Sequence, residues 1–277
     1  MFTLNCNGRL LVINKPVVMG ILNFTPDSFY KQSRLQTIED ALQRAEIMLK
    51  EGATMLDIGG QSTRPQSERI TAAEEAERVL PVIESVSKNF PGAFVSVDTY
   101  YAPVAEQAVD AGACLVNDIS GGTMDENMLS AVGKLSVPYI CMHIKGTPET
   151  MQQDPVYENV TRVVLDFFIH QTEQCRLHNI NDVIIDPGFG FGKTIAHNFQ
   201  LLRELSVFKM LEKPILAGVS RKGTIYKTLG ITAEKALNGT TVLNTIALLN
   251  GANILRVHDV KEAVEAINLV DVYTRAS

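Results

Sequence analysis

Short apolar runs alternate with longer amphipathic segments along most of the chain. The runs have the length of buried strands, whereas the segments between them repeat apolar residues every three or four positions, as one face of a helix does. In the first of these segments, that face carries Ile38, Leu42, Ala45, Met48 and Leu49. The pattern therefore predicts strands and helices in regular alternation, with these apolar positions in the core.

The alternation gives eight strand–helix units. The predicted strand and helix pairs are 17–22 and 38–50, 55–58 and 72–87, 94–97 and 102–111, 115–117 and 126–134, 139–142 and 160–177, 183–185 and 198–205, 215–218 and 233–249, and 254–257 and 260–272. Eight units are the number in a closed (β/α)8 TIM barrel, and no Gly/Ser linker or charge block divides them. We therefore predict an α/β fold, with one barrel domain over 1–277. A hairpin at 2–12, turning at Asn7-Gly8, should plug one end.

Polar residues stand at nearly all of the eight predicted strand ends. In a barrel of this kind the C-terminal ends of the strands face one mouth, where functional side chains collect. These residues are Asn23, Asp57, Asp98, Asn117, His143, Asp186, Ser220, Lys222, Arg256 and His258. We therefore expect the functional site at that mouth.

The segment 186–193, Asp-Pro-Gly-Phe-Gly-Phe-Gly-Lys, follows the sixth predicted strand directly. Its glycines, at 188, 190 and 192, let the backbone approach a flat ligand or a phosphate, because no Cβ intervenes and positive φ is free. A flexible turn is the alternative interpretation, but a turn needs only one glycine. Two phenylalanines between an aspartate and a lysine favour a ligand site.

Composition limits the classes of protein that fit. The chain has 277 residues, 45% of them hydrophobic and 20% charged, which is typical of a globular enzyme. A net charge of −6 argues against nucleic acid as the main partner. No apolar run is long enough to span a membrane, and no leader pattern opens the chain, so we expect a cytoplasmic protein. The cysteines lack metal-ligand spacing and are expected to be reduced thiols: Cys6, Cys114, Cys141 and Cys175.

Six motifs, in one order along the chain, resemble those of the dihydropteroate synthases. They are Met-Gly-Ile-Leu-Asn-Phe-Thr-Pro-Asp-Ser-Phe at 19–29, Asp-Ile-Gly-Gly-Gln-Ser-Thr-Arg-Pro at 57–65, Asn-Asp-Ile-Ser-Gly at 117–121, Asp-Pro-Gly-Phe-Gly-Phe-Gly-Lys at 186–193, Ser-Arg-Lys at 220–222 and Arg-Val-His-Asp-Val at 256–260. The resemblance implies a homodimeric TIM barrel in folate synthesis and a target of sulfonamides. Its reaction would join p-aminobenzoate to 6-hydroxymethyl-7,8-dihydropterin pyrophosphate and release pyrophosphate.

The resemblance assigns a pterin slot to one group of these residues. A pterin ring needs carboxylate and amide partners for its N–H and carbonyl edges, and neighbouring strand ends offer such partners. The resemblance implies that the ring is bound by Asp98, Asn117, Asp186 and Lys222 and contacted by Met142, Gly190 and Phe191. For a single aspartate, a helix cap or an ion pair with lysine is the alternative interpretation.

The leaving diphosphate needs cations and hydrogen-bond donors. The candidates are Arg64, Arg256 and His258, with Ser62 and Thr63 as hydroxyl donors. The resemblance implies that Asn23 holds a Mg²⁺ ion bridged to the diphosphate, with water and substrate oxygens completing an octahedron. It also implies a slot for p-aminobenzoate that has Phe29 and Pro65 as its walls and Ser220 near the carboxylate. The predicted catalytic set is therefore Asn23, Arg64, Lys222, Arg256 and His258.

The reaction needs no enzyme nucleophile, because the pterin ring can delocalise a positive charge on the methylene carbon once diphosphate leaves. We therefore expect an SN1-like step in which the protein positions the amine and stabilises the departing anion. Loops 24–34 and 61–68 are expected to close over the mouth. The helical stretches 237–249 and 260–272 are candidates for the dimer surface.

The chain departs from the family pattern at Tyr30-Lys31-Gln32-Ser33, where Ser-Asp-Gly-Gly is frequent, and at Gln61, where glutamate is frequent. This departure leaves open a non-catalytic pterin-binding paralogue. A pterin-dependent methyltransferase domain is a further alternative, although it predicts none of the three motifs Thr-Pro-Asp-Ser-Phe, Ser-Thr-Arg-Pro and Ser-Arg-Lys. An unrelated phosphate-binding barrel would leave the aspartates and asparagines at the strand ends unexplained.

Overall fold

A parallel eight-stranded barrel surrounded by helices forms the body of the protein, in a computed structural model that describes residues 1–24, 38–61, 69–151 and 155–276. The strands of the barrel are β3 (Val17–Asn23), β4 (Met55–Gly59), β5 (Phe94–Asp98), β6 (Leu115–Asp118), β7 (Tyr139–Met142), β8 (Val183–Asp186), β9 (Leu216–Ala217) and β10 (Ile254–Val257). They follow the order β8-β7-β6-β5-β4-β3-β10-β9. A parallel bridge between Ile185 and Ile215 brings the two edges together, so the barrel is nearly closed. The barrel prediction is confirmed.

Two further strands, β1 (Phe2–Cys6) and β2 (Arg9–Ile13), form the predicted antiparallel hairpin at the N-terminus. Asn7 and Gly8 at its turn both have positive φ, as a tight two-residue turn requires. The inward residues Leu4 and Leu11 pack with Met19, from β3, and with the first residues of other barrel strands. The hairpin therefore covers the end of the barrel opposite the C-terminal strand ends.

The helices connect the strands and pack outside them. They are α1 (Ile38–Lys50), α2 (Ala72–Asn89), α3 (Ala102–Asp110), α4 (Met128–Leu135), α5 (Val160–Leu177), α6 (Ile195–Arg203), α7 (Gly223–Leu229), α8 (Leu237–Leu249) and α9 (Val260–Arg275). The largest core cluster fills the layer between strands and helices, with Phe168 of α5 against Phe208 as one example. None of the helices in these described ranges combines the length and apolar character that a membrane crossing would need.

The sequence pattern misses one helix and displaces the start of another. It does not predict α7, because seven residues are too short to show a helical period. The region predicted as helical from 233 begins instead with a 3-10 turn at Ala233–Lys235, and α8 starts only at Leu237. Helix α7 matters for the mouth of the barrel because it begins directly after Lys222. The backbone of that lysine is therefore fixed at a helix N-terminus.

Candidate active site

The sheet register places three of the predicted residues in one row. Asn23 pairs with Gly59, Gly59 with Asp98, and Asp98 with Asn117, so these residues stand at the same height on four adjacent strands. A Cβ added at Gly59 would lie 3.3 Å from Oδ1 of Asn23 and 3.6 Å from Oδ2 of Asp98. Both side chains therefore lie beside Gly59, and the glycine leaves room between them.

Arg256 is held at this mouth by two buried carboxylates. Its Nε donates to Oδ2 of Asp57 at 2.6 Å, and its Nη2 donates to Oδ2 of Asp98 at 2.5 Å. The amide of Asn117 donates to the same Asp57 oxygen at 2.9 Å. The side chain of Arg256 remains 16% exposed, whereas that of Asp57 is 0% exposed. The guanidinium is thus fixed in direction while one side still faces the mouth.

Asp57 is the residue of this group to which the sequence assigned no role. It belongs to the second strand-end motif, and only the barrel brings it against an arginine 199 positions away. Its other oxygen, Oδ1, is buried without a hydrogen-bond partner among the described residues. A buried unpaired carboxylate oxygen calls for a donor, so a ligand N–H is a natural partner.

Burial and neighbouring charges change the acidity of the mouth. Burial raises the pKa of Asp98 to about 7, with the Arg256 cation opposing the shift and the Asp57 carboxylate adding to it. Burial also lowers the pKa of Arg256, but the Asp57 and Asp98 carboxylates raise it overall, so the guanidinium stays charged. Asp98 can therefore change protonation near neutral pH while the cation beside it does not.

Asp186 stands at the end of β8, facing Lys222 across the mouth. Oδ1 of Asp186 accepts a hydrogen bond from the backbone N–H of Gly188 at 2.8 Å. A Cβ built at Gly218 would lie 3.7 Å from Nζ of Lys222 and 3.9 Å from Oδ2 of Asp186, so both charged groups border the same glycine. Burial raises the pKa of Asp186, and the Lys222 ammonium opposes that shift. The pair presents an acceptor and a donor to the same space.

Lys222 also contacts the Gly-rich loop. Its Nζ donates to the carbonyl oxygen of Phe189 at 2.5 Å and lies 4.6 Å from the centre of the Phe191 ring. Burial lowers the pKa of Lys222 to about 8, although Asp186 favours the charged form. A Cβ at Gly190, whose φ is +84°, would come within 3.3 Å of the lysine chain. Glycine is therefore favoured at 190, both by its positive φ and by its close approach to the lysine chain.

Met142 and Phe191, the residues expected to contact a ring, belong to one small apolar cluster. This cluster also contains Tyr100 and Ile119, and it is separate from the main core. All four side chains are almost fully buried. Apolar and aromatic surfaces next to the Asp186–Lys222 pair form the lining that a flat heterocycle prefers.

Ser220 and His258 contact each other at the ends of β9 and β10. Oγ of Ser220 lies 3.0 Å from Nδ1 of His258 and accepts a hydrogen bond from the His258 backbone N–H at 3.2 Å. Burial and the Arg256 cation lower the pKa of His258 to about 4, so its imidazole is neutral near pH 7. Strand β10 ends at Val257, and His258 therefore begins the connection to α9.

Arg221, the middle residue of the Ser-Arg-Lys motif, fixes this corner of the mouth. Its guanidinium donates to both oxygens of Asp259, at 2.9 and 2.7 Å, and its backbone N–H donates to Thr240 at 3.0 Å. Its φ is +53°, an uncommon angle for a residue with a side chain. The bidentate ion pair with Asp259 helps to hold this uncommon backbone conformation between Ser220 and Lys222. Spacing alone gave no sign of this role.

A buried carboxyl group contacts the residue that follows Asp98. Glu75 of α2 accepts a hydrogen bond from Oγ1 of Thr99, the residue after Asp98, at 2.5 Å. The start of α2 is fixed by a capping box between Thr71 and Glu74. Burial raises the pKa of Glu75 to about 7, with the Thr99 hydroxyl lowering it in part. The sequence gave no signal for Glu75, because it reads as one more polar position of an amphipathic helix.

Asn23 is exposed at the mouth, next to Asp98 across Gly59. No group of three or more His, Cys, Asp or Glu side chains in the described ranges is arranged to hold a metal ion. The side chains present thus fit an ion held by one amide oxygen and completed by substrate and water, rather than a site built wholly from protein ligands.

Several predicted residues lie outside the described parts of the chain, as do most of both expected loops, 24–34 and 61–68. These residues are Phe29, Ser62, Thr63, Arg64 and Pro65, together with the unusual stretch 30–33. Gln61, at the edge of the second gap, is buried and donates to the hydroxyl of Tyr100 at 2.6 Å.

Comparison with known proteins gives one consistent result. The family described as pterin binding enzyme matches residues 19–258. The dihydropteroate synthase of Escherichia coli (strain K12) is 40% identical over 266 residues, which cover 95% of this chain and 94% of that protein. A Yersinia pestis dihydropteroate synthase structure with a sulfonamide drug superposes with a TM-score of 0.94 at 41% identity, covering 99% and 100% of the two chains. A Xanthomonas albilineans dihydropteroate synthase in complex with 7,8-dihydropteroate gives 0.90 at 36% identity over both whole chains.

The raised pKa of Glu75 predicts a pH-dependent stability that Glu75→Gln should remove. The folded-state pKa, about 7, lies above the ordinary value of 4.5, so the wild type loses stability as pH rises between these values. Glutamine keeps an oxygen for Thr99 and has no proton to lose. We expect the variant to gain about 2–3 kcal/mol in unfolding free energy relative to wild type between pH 4.5 and pH 8, measured by urea denaturation.

Glu77→Gln is the matched control, since Glu77 lies on the same helix with its side chain exposed. Parallel pH profiles for the wild type and Glu75→Gln would show that Glu75 is already ionised at low pH in the folded protein.

Proposed function

The chain belongs to the pterin binding enzyme family, and we propose that its activity is that of a dihydropteroate synthase. It joins 6-hydroxymethyl-7,8-dihydropterin pyrophosphate to p-aminobenzoate and gives 7,8-dihydropteroate and pyrophosphate, a transferase reaction of folate synthesis. The observation that carries this assignment is the set of strand-end groups around one mouth: Asp98, Asn117, Asp186, Lys222 and Arg256.

The pterin slot lies between the Asp186–Lys222 pair and the Asp57–Asp98–Asn117 group. The amino-pyrimidine edge of the ring carries N–H donors, which suit the carboxylate of Asp186. Lys222 would donate to a ring carbonyl or nitrogen. It would then release the carbonyl oxygen of Phe189, to which it donates when no ligand is bound. The side chains of Met142 and Phe191 would contact the ring faces.

Departure of diphosphate is the step in which charge develops, so cations near the methylene carbon lower its barrier. Arg256 is charged, buried on one side and fixed by two carboxylates, which keeps it oriented before substrate arrives. In the described part of the chain its Nη1 makes no hydrogen bond, so it is available to a phosphate oxygen. Neutral His258 can donate a hydrogen bond from Nε2, since its Nδ1 faces Ser220. Arg64 is the third candidate.

The remaining roles concern the metal ion and the amine. Asn23 would hold Mg²⁺ through its amide oxygen. When bound, the ion would neutralise part of the negative charge on the diphosphate. The dihydropterin ring delocalises the cation left on the methylene carbon, and p-aminobenzoate then attacks it, in an SN1-like order. Phe29, Pro65 and Ser220 would position the amine, as the resemblance implies.

The alternatives explain less of the site. A binding paralogue has no use for Arg256 and His258 beside the pterin slot. A methyltransferase domain would not require the Ser-Arg-Lys motif, in which Arg221 and Lys222 both make defined contacts. The synthase accounts for both sets of residues.

A homodimer is supported by apolar side chains that remain exposed on two helices. On α9 they include Leu269, 72% exposed, and Val272, 68% exposed, and α8 adds Val242 and Leu249. Such a surface is typical of a contact with another copy of the chain. A cytoplasmic location is supported by the four cysteines, all of which are buried free thiols.

The test of function is a pyrophosphate-release assay with the purified protein, the dihydropterin pyrophosphate and Mg²⁺, with and without p-aminobenzoate. We expect release of pyrophosphate and formation of dihydropteroate that both require the amine, and loss of both with EDTA. Tight pterin binding with no release under any condition would instead identify a binding paralogue.

Replacement of Asp186 by asparagine should weaken binding of the pterin substrate by about 10- to 100-fold, because a charged acceptor of two hydrogen bonds is lost. Asparagine keeps an oxygen for the Gly188 N–H, so the loop should remain folded. Calorimetry with the dihydropterin pyrophosphate measures the effect. The control is Asp182→Asn near the opposite end of β8, where Asp182 accepts from the backbone of Asn5. Equal affinity in the two variants would contradict the slot assignment.

The double change Leu269→Lys and Val272→Lys should convert the dimer to a monomer, since it places charge on the proposed apolar surface. Sedimentation measurements would report the mass relative to the 30.4 kDa chain. Leu177→Lys, at an exposed position at the end of α5, should leave the mass unchanged. A wild type that is monomeric at all concentrations would rule out the dimer.

A further inference from the structure

Lys193, the last residue of the Gly-rich motif, has no role in the reaction described above. It is a lysine with only 3% of its surface exposed, which is rare for this residue type. Its Nζ lies 2.9 Å from Nδ1 of His143, 3.2 Å from the carbonyl oxygen of His143, and 2.9 Å from the carbonyl oxygens of both Gly188 and Phe191. All four of these atoms can accept hydrogen bonds.

The acceptors come from two separate segments of the barrel mouth. His143 follows β7, whereas Gly188 and Phe191 belong to the loop after β8. One nitrogen therefore joins the end of one strand to the loop that follows the next strand. Even a fully protonated amino group has only three hydrogens, and the Nζ of Lys193 meets four acceptors, so it has no donor left for a ligand.

Three further polar groups of the loop are also occupied from within the protein. Lys222 takes the carbonyl of Phe189, the side chain of Asn198 accepts from the N–H of Gly190 at 2.7 Å, and Asp186 accepts from the N–H of Gly188. A Cβ at Gly188 would overlap the carbonyl oxygen of His143, so the glycine permits close contact between the two segments. The loop conformation thus depends on hydrogen bonds within the protein to its carbonyl and N–H groups.

We propose that Lys193 is a positioning residue for the pterin slot. Its buried Nζ binds the carbonyl oxygens of Gly188 and Phe191 and thereby fixes the Phe191 ring against the ligand. The inference rests on the proposed function, because it names the residue that shapes the pterin site. Lys193 acts through the loop and does not touch the substrate itself.

Two further features agree with this role. Lys193 and Lys222 hold different carbonyls of the same loop, but only Lys222 borders the mouth and can exchange its carbonyl for a ligand. Burial lowers the pKa of Lys193 well below its ordinary value, and the Asp186 carboxylate opposes that shift, so the lysine and the acceptor of the slot are linked electrostatically. Loss of Lys193 would therefore disturb both the ring wall and the acceptor.

His143 offers a direct spectroscopic report on this contact. Burial and the neighbouring Lys193 lower the pKa of His143 to about 2, so its imidazole is neutral and its Nδ1 can accept from the lysine. The chain has five histidines, which makes assignment of the ring ¹⁵N signals practical. Removal of the lysine should shift the Nδ1 signal of His143, whether or not the overall stability changes.

The experiment compares Lys193→Met with Lys145→Met. Methionine keeps the length and the apolar stem of lysine but donates no hydrogen bond. Lys145 is a matched control in the neighbouring loop, where its ammonium donates to the carbonyl of Val156 and lies over the Tyr157 ring. For Lys193→Met we expect KM and Kd for the dihydropterin pyrophosphate to rise by roughly tenfold or more, with KM for p-aminobenzoate near the wild-type value. Lys145→Met should bind the pterin like wild type.

Lys193→Gln provides a second variant if Lys193→Met does not fold, since its amide keeps two donors and should give an intermediate rise in KM. The inference is overturned if a folded Lys193 variant shows a shifted His143 signal but binds the pterin substrate like wild type. It is also overturned if KM for both substrates rises equally. Wild-type turnover in the same assay tests the proposed function separately: an inactive wild type would reject the synthase, whereas an active wild type with an unaffected Lys193→Met would reject only this inference.

Discussion

The mouth of the barrel depends on one buried cation held between two carboxylates. Arg256 on β10 is bound by Asp57 of β4 and Asp98 of β5, and this arrangement joins strands on both sides of β3. Removing either partner of a buried pair leaves an unpaired charge and costs about 3–5 kcal/mol. The same pairing keeps the guanidinium charged and fixed in direction at the mouth. The stability of the mouth and the orientation of its buried cation therefore rest on the same three side chains.

Around this centre, the protein uses lysines for two different purposes. Lys222 borders the mouth, where Asp186 favours its charge and a ligand can replace the Phe189 carbonyl that it holds. Lys193 lies behind the Gly-rich loop, with every donor used inside the protein. A side chain at 188 would overlap the carbonyl oxygen of His143, and one at 190 would press on the Lys222 chain, so glycine at both positions favours these arrangements. Residues of the Gly-rich motif therefore fix the conformation of the loop as well as border the mouth.

Burial also shifts the pKa values of several mouth groups. His258 and His143 both have lowered pKa values, and Asp98 has a raised one, because the barrel removes water from around them. Arg256 stays charged at neutral pH because the Asp57 and Asp98 carboxylates favour its cation, and Lys222, with a pKa of about 8, keeps most of its charge. In the proposed reaction, these groups would bind and orient the substrates, and no enzyme nucleophile is required.

The sequence by itself determined the barrel, the N-terminal hairpin and the family, because strand and helix periods and strand-end motifs are local properties of the chain. It also identified Asp98, Asn117, Asp186, Lys222 and Arg256 as candidates for one site. Tertiary structure alone decided the partners of these residues. The pairing of Asp57 with Arg256 and the contact of Lys193 with His143 join positions far apart in the chain, and Glu75 resembles any other polar position on a helix. The short helix α7 also escaped prediction, since its start is set by packing after Lys222 rather than by an apolar period.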